Sequence, residues 1–150
     1  MKPRLDYTKT APGALKGMLE LENYVHGSGL ERSLYELVKT RASQINGCAY
    51  CLDMHTKDAR KAGESEQRLY TLSAWREAPF YTERERAALA WTEALTLISE
   101  NNVPDSLYKA TQEYFSEKEI VALTMAIIAI NGWNRLAISF RTPPGSYEPR

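Results

Sequence analysis

The chain has 150 residues, 43% hydrophobic and 25% charged, with nineteen basic and nineteen acidic side chains that cancel. That composition excludes disordered and fibrous classes, and the interleaved charges exclude the positive face a nucleic-acid backbone binder needs. The length suits one hydrophobic core, so a single domain over 1–150 is expected, with 142–150 as an irregular tail.

At the amino end, "MKPRLDYTKTAPG" carries no apolar signal core. A first helix is expected from about Pro12 to the Gly27-Ser28-Gly29 break, and Ser28 with Glu31 has the spacing of a capping box for a second. Leu30, Leu34, Leu37, Val38, Ala42 and Ile45 give that second helix one apolar stripe, which "QING" ends. A third helix should open near Gly47 or Cys48 and stop at Gly63, and a fourth should cover about Ser65 to Glu77 before Ala78-Pro79. Thr82 with Glu85 caps a helix whose Ala87, Trp91, Ala94, Leu95 and Ile98 share a face, and "ENNVPD" ends it.

A short helix from about Pro104 to Phe115 follows, then Ser116 with Glu119 caps a last helix that is apolar nearly all round. Its centre must be buried, and its surplus apolar surface implies packing against another subunit. The run Ile120 to Ile130 is shorter than the roughly 20 residues a bilayer requires, so a soluble, cytoplasmic protein without a membrane partner is expected. No segment alternates as a strand would. The fold class is all-α.

The only two cysteines and one of two histidines fall together in "CAYCLDMH", as Cys48, Cys51 and His55. A disulfide between residues this close in sequence removes little chain entropy, so the pair suggests redox or metal chemistry rather than a staple. On a helical wheel Cys48, Cys51, Leu52, His55, Ala59 and Ala62 share a face, while Asp53, Lys57, Arg60 and Lys61 lie away from it. At a helix start, unpaired N–H groups stabilise a thiolate, and His55, one turn after Cys51, can take the thiol proton.

An orienting group for His55 follows from geometry. If "QING" turns the chain back, Glu36 lies about 15 Å before the turn and His55 about 12 Å after it. At an interaxial distance of about 8 to 10 Å they can meet directly or through a water. By its own wheel, however, Glu36 sits opposite the Leu30/Leu34/Val38 stripe, beside Arg32, Lys39 and Thr40, as a solvated residue would. Both readings hold only if that second face is covered.

Zinc would find three ligands in the cysteines and His55, with His26 or Glu36 as a fourth. Structural zinc sites join separated segments, whereas these three sit on one helix, so no metal and no cofactor is expected.

"ELVKTRASQINGCAYCLDMHTKDARKAG" resembles the core motif of the alkyl hydroperoxidase D-like (AhpD-like) proteins of the carboxymuconolactone decarboxylase superfamily: a glutamate, then C-x-x-C-x-x-x-H, here Glu36, Cys48, Cys51 and His55. The likeness covers about Leu30 to Ser99 and returns at "INGWNRLAI", Ile130 to Ile138. It implies an all-helical fold with a central helical hairpin, assembling as homo-trimers or homo-hexamers. It implies a thiol-dependent alkyl hydroperoxide reductase of antioxidant role. Cys51 would be the peroxidatic nucleophile, Cys48 the resolving and exchanging thiol, His55 the proton relay and Glu36 its orienting base.

Helix-terminus position favours Cys48 as the attacking thiol and the histidine favours Cys51. The partners implied are an organic hydroperoxide and an external dithiol, a lipoyl or thioredoxin-like protein. The best-known members carry a histidine where Tyr50 stands and fuse two similar halves; the decarboxylase branch lacks the cysteine pair, which disfavours decarboxylation. The alternative is a general dithiol–disulfide oxidoreductase or redox sensor with little peroxidase turnover. In the late segment, Asn131-Gly132 is expected to kink the helix. Trp133 and Asn134 are candidates for the cleft, against a role for Trp133 as a core or interface anchor and for Arg135 in an ion pair.

Overall fold

In the computed structural model, which describes residues 2–149, the elements are α1 (Tyr7–Thr10), α2 (Pro12–His26), α3 (Arg32–Asn46), α4 (Ala49–Lys61) and α5 (Glu66–Thr71). A 3₁₀ turn (Leu72–Ala74) precedes α6 (Glu83–Thr96), α7 (Ile98–Asn101), α8 (Asp105–Gln112) and α9 (Glu117–Phe140). The described residues contain no strand, so the chain is all-α.

α3 is the pivot. Its Leu34 and Val38 pack with Ala88, Trp91, Phe115, Ile120, Leu123 and Ile127 of the α6–α8–α9 side. Its Leu37 enters a second cluster with Ala59, Leu69, Leu72, Trp75 and Leu89. Ala42 joins Cys48, Cys51, Ile130 and Ala137, while Tyr35 packs on Val25 and Ala126. The single stripe read from the sequence therefore understates the helix, which is covered on several sides.

Gly47, at φ +69°, ends α3 in the left-handed region, and the N–H groups of Gly47 and Cys48 donate to Gln44 and Ser43 carbonyls. The chain reverses there, and α4 packs antiparallel on α3 as a helical hairpin.

The Thr82–Glu85 and Ser116–Glu119 capping boxes form, each with side chain and backbone bonded reciprocally. The Ser28–Glu31 box does not. Ser28 Oγ donates to the Val25 carbonyl, Glu31 itself takes the N-cap position, and its carboxylate pairs with Arg84 at 3.0 Å. The fourth helix also stops short of Glu77: after Thr71 it tightens into the 3₁₀ turn, which drops Leu72 and Trp75 into the core. At Leu97 the backbone leaves helical geometry, so Ile98 departs from the α6 face and is 55% exposed.

α9 is long and apolar enough to cross a membrane by length and composition, but half of that apolar window is buried against the other helices. The helix continues without a break through Asn131-Gly132. A Cβ on Gly132 would stand 2.7 Å from the end of Met18, so this glycine admits α2 close against α9.

Because Gly47 alone supplies the left-handed residue that starts the hairpin, Gly47→Ala should lower stability by about 1–2 kcal/mol. Chemical denaturation with an unchanged m-value checks this.

Candidate functional site

The α3–α4 hairpin places the cysteines. Cys48 occupies the N-cap of α4, where its sulfur accepts the Cys51 N–H at 3.3 Å. Cys51 follows in the first turn, and the two are joined as a disulfide with Cα atoms 5.3 Å apart. Each is only 1% exposed. Cys51 lines a cleft of about 760 Å³, and Cys48 lies behind it among Ala42, Ile130 and Ala137.

One turn along α4, His55 enters the same cleft. Its Nδ1 lies 3.0 Å from Glu36 Oε2, a direct hydrogen bond across the hairpin. With Nδ1 donating to this carboxyl, Nε2 is left as an acceptor. Burial holds the His55 pKa below its ordinary 6.5, although the hydrogen bond to Glu36 works the other way. The imidazole is thus kept neutral and fit to accept a proton.

Glu36 is 5% exposed, not solvated. Its face of α3 is covered by α4, side chains from the end of α2 reach the neighbouring Tyr35 and Lys39, and Lys39 and Thr40 are buried with it. Lys39 Nζ donates to Glu22 of α2 at 3.0 Å and stands over the Tyr35 ring. Glu22 also accepts from the Tyr35 hydroxyl and, at 2.8 Å, from the Trp133 indole. Burial opposes charge on Glu22, but Lys39 and these donors outweigh it and hold its carboxyl below the usual range. The cleft therefore has a sulfur–imidazole wall on α4 and a polar wall where α2, α3 and α9 meet.

Glu36, Cys51, His55 and Trp133 all line the cleft, and Cys48 and Asn134 do not. Asn134, 1% exposed, instead clamps the hairpin turn: it donates to Ser43 Oγ at 3.0 Å and accepts from Asn46 Nδ2 at 2.8 Å. Asn131 accepts a second bond from Asn46 at 3.0 Å. Arg135 makes no ion pair among the described residues and donates to Asn131.

Tyr50, also on the cleft, has its phenol pKa raised by burial and by neighbouring Tyr7 and Asp53, so it donates but does not take a proton at neutral pH. His26 is also on the cleft, half exposed or more, 3.8 Å from Glu22.

Sequence reasoning missed several cleft residues, Glu22, Lys39, Asp58 and Tyr147 among them. Asp58 has ligand-type atoms clustered with those of Glu36 and His55 within 4.8 Å. At about 100° per residue it falls on the Cys51–His55 face, a signal that was available. Glu22, Lys39 and Tyr147 join only through tertiary packing. The Glu36–His55–Asp58 group offers donors a metal could use, but His55 Nδ1 and the Asp58 oxygens are already engaged within the protein.

A profile of the Carboxymuconolactone decarboxylase family matches residues 12–94. The chain belongs to that family. Within it the chain is AhpD-like. It is 48% identical over 139 residues to the uncharacterized protein YdfG of Bacillus subtilis, covering 93% of this chain and 95% of the relative. It superposes with a TM-score of 0.94 and 49% identity on ATU0492 of Agrobacterium tumefaciens, a protein of unknown function provisionally named an antioxidant defence protein AhpD. That match covers 97% of this chain and all of the other. The debrominase Bmp8 shares the fold at TM-score 0.81 and 18% identity, over 93% of this chain and 75% of its own.

The depressed His55 pKa has a signed consequence. Below about pH 6.5 the unfolded chain takes up a proton that the native imidazole resists, so native stability falls as the solution is acidified through that value. Denaturation midpoints between pH 7.5 and 5.5 should decline in the wild type and decline less in His55→Gln.

Proposed function

We propose that the chain is a thiol-dependent hydroperoxide reductase in which Cys51 attacks the peroxide and Cys48 resolves the product. The observation that carries this is one cleft holding the Cys51 sulfur and, one turn away, a neutral imidazole whose Nδ1 is bound to Glu36 at 3.0 Å. A reacting thiol needs a nearby base, and the base needs a fixed tautomer.

In the reduced chain, His55 Nε2 takes the Cys51 proton. The thiolate attacks one oxygen of ROOH, the O–O bond breaks, Cys51 becomes a sulfenic acid, and RO⁻ leaves as ROH with the proton from His55. The Cys48 thiol then displaces hydroxide from the sulfenic sulfur, which departs as water, and the Cys48–Cys51 disulfide forms. An external dithiol returns two electrons by exchange.

Two placements support Cys51 over Cys48 as attacker: its position on the cleft and its turn-spacing to His55. The cap supports the complementary role for Cys48, because a sulfur that accepts the Cys51 N–H is stabilised as a leaving thiolate when the disulfide is reduced. On this reading the incoming dithiol attacks the Cys51 sulfur, where the resemblance would give the exchange to Cys48. For assembly into homo-oligomers, support comes from the outer face of α9, where Val121 and Ile128 are 54% and 50% exposed.

With cumene hydroperoxide as acceptor, Cys51→Ser should abolish turnover, and Cys48→Ser should retain a single sulfenic acid on Cys51 by intact mass. His55→Gln should slow the oxidation by about a hundredfold or more, and Glu36→Gln by a smaller factor. Undiminished peroxide consumption in Cys51→Ser and His55→Gln overturns the mechanism. Disulfide exchange without peroxide consumption in the wild type would leave a dithiol oxidoreductase.

A further inference from the structure

Beyond α9 the chain has no regular element, yet residues 142–149 follow a defined path along α4. Gly145 N–H donates to Asp53 Oδ2 at 2.9 Å, Lys57 Nζ donates to the Tyr147 carbonyl at 2.9 Å, and Lys61 Nζ donates to the Pro149 carbonyl at 3.0 Å. The Tyr147 hydroxyl donates to both Asp58 oxygens, at 2.8 and 3.0 Å. Asp53, Lys57, Asp58 and Lys61 thus serve as a rail on the outward edge of the cysteine helix.

This rail delivers the Tyr147 ring to the cleft wall shared with Cys51 and His55. None of the residues from 142 to 149 is buried, so the segment contributes no core packing. A segment held by hydrogen bonds that water can replace opens at low free energy, unlike α3, α4 and α9, which build the other walls from core. At the neighbouring edge α1 is separated from α2 by a non-helical Ala11 and is tied to the end of α9 by Arg4 N–H to the Phe140 carbonyl and by Tyr7 against the Phe140 ring. The 142–149 strap is thus a boundary of the cleft that can leave without disturbing the core.

The redox cycle makes two unequal demands on that boundary. A hydroperoxide is small enough for a cleft of about 760 Å³, whereas a protein dithiol must bring its own sulfur to within bonding distance of a disulfide whose cysteines are each 1% exposed. We infer that the 142–149 strap, through Tyr147, is a specificity determinant: closed, it admits small reactants to Cys51, and a bulky dithiol reaches the disulfide only by displacing it. This rests on the dithiol reading above. In the exchange step the incoming thiolate bonds to Cys51 sulfur, the S–S bond breaks, and Cys48 leaves as the thiolate; the partner's second thiol then releases Cys51 and carries away the oxidised state as its own disulfide.

The test compares two reagents with one reactive group and different bulk on the reduced chain: N-ethylmaleimide and a polyethylene-glycol maleimide of several kilodaltons. Tyr147→Ala removes the ring and its bond to Asp58. Gly145→Val acts at a distance: Gly145 has φ +102° with open space around its Cβ position, so the change strains only the strap and leaves the cleft residues intact. Both should speed the bulky reagent by about tenfold, the effect of losing one hydrogen bond to a charged group from the closed state, while N-ethylmaleimide changes by less than about twofold.

Tyr147→Phe, which keeps the ring, should fall between wild type and Tyr147→Ala for the bulky reagent. Unchanged rates for the bulky reagent in both Tyr147→Ala and Gly145→Val overturn the inference. Equal acceleration of both reagents overturns it too, since the strap would then brace the site rather than sort what enters. These rates are read without peroxide, so their failure is distinct from failure of the peroxidase reading.

Discussion

Burying a carboxylate is costly unless it is paired, and Glu36 is buried midway along a helix that also hides Lys39, Thr40 and Ser43. The hairpin meets that cost by setting an imidazole from α4 level with the carboxylate, and α2 meets the matching cost for Lys39 with Glu22. Each pair needs the other helix in register. A slip of one residue at Gly47 would rotate α4 by about 100° and leave both Glu36 and His55 buried without partners. The same constraint that holds the fold in one register also presents His55 with a fixed tautomer.

The two cysteines, three residues apart, sit in different environments because a helix N-terminus is asymmetric. Cys48, at the N-cap, receives a backbone N–H and is sealed behind by Ala42, Ile130 and Ala137. Cys51, in the first turn, faces the cleft and the histidine one turn on. One sulfur therefore lies under a capping N–H and the other beside the histidine, a difference that a C-x-x-C pair in an extended loop would not impose. The turn that creates it is held from outside by Asn131 and Asn134, which bond Asn46 and Ser43 from α9. The polar residues of the otherwise apolar last helix thus act on the site without entering the cleft.

Charges around the cleft temper, without reversing, the effect of burial on the imidazole. Glu36 and Asp58 favour its protonated form, while desolvation, the largest influence, and Lys39 oppose it. Asp58 in turn is tied to Tyr147, whose pKa is pushed up to about 12 by burial and by that carboxylate, so the phenol remains a donor. The tail therefore shares the Asp58 carboxylate with the base while contributing nothing to the core.

The sequence by itself determined the all-α class, two of its three candidate capping boxes, the reversal at Gly47, and the spacing of Glu36, Cys48, Cys51 and His55, because each is written in neighbours a few residues apart. It misplaced the Ser28–Glu31 cap and the end of the fourth helix, where contacts with Arg84 and with the core outweighed local preference. Local pattern also set Glu36 on a solvated face, since a wheel counts one apolar stripe and cannot register a helix covered on several sides. Which sulfur faces the cleft, that Glu22 and Lys39 form its far wall, and that Tyr147 closes its edge were decided only by tertiary structure. Those partners lie 17 to 111 residues apart, and no periodicity in the chain encodes a contact made across that distance.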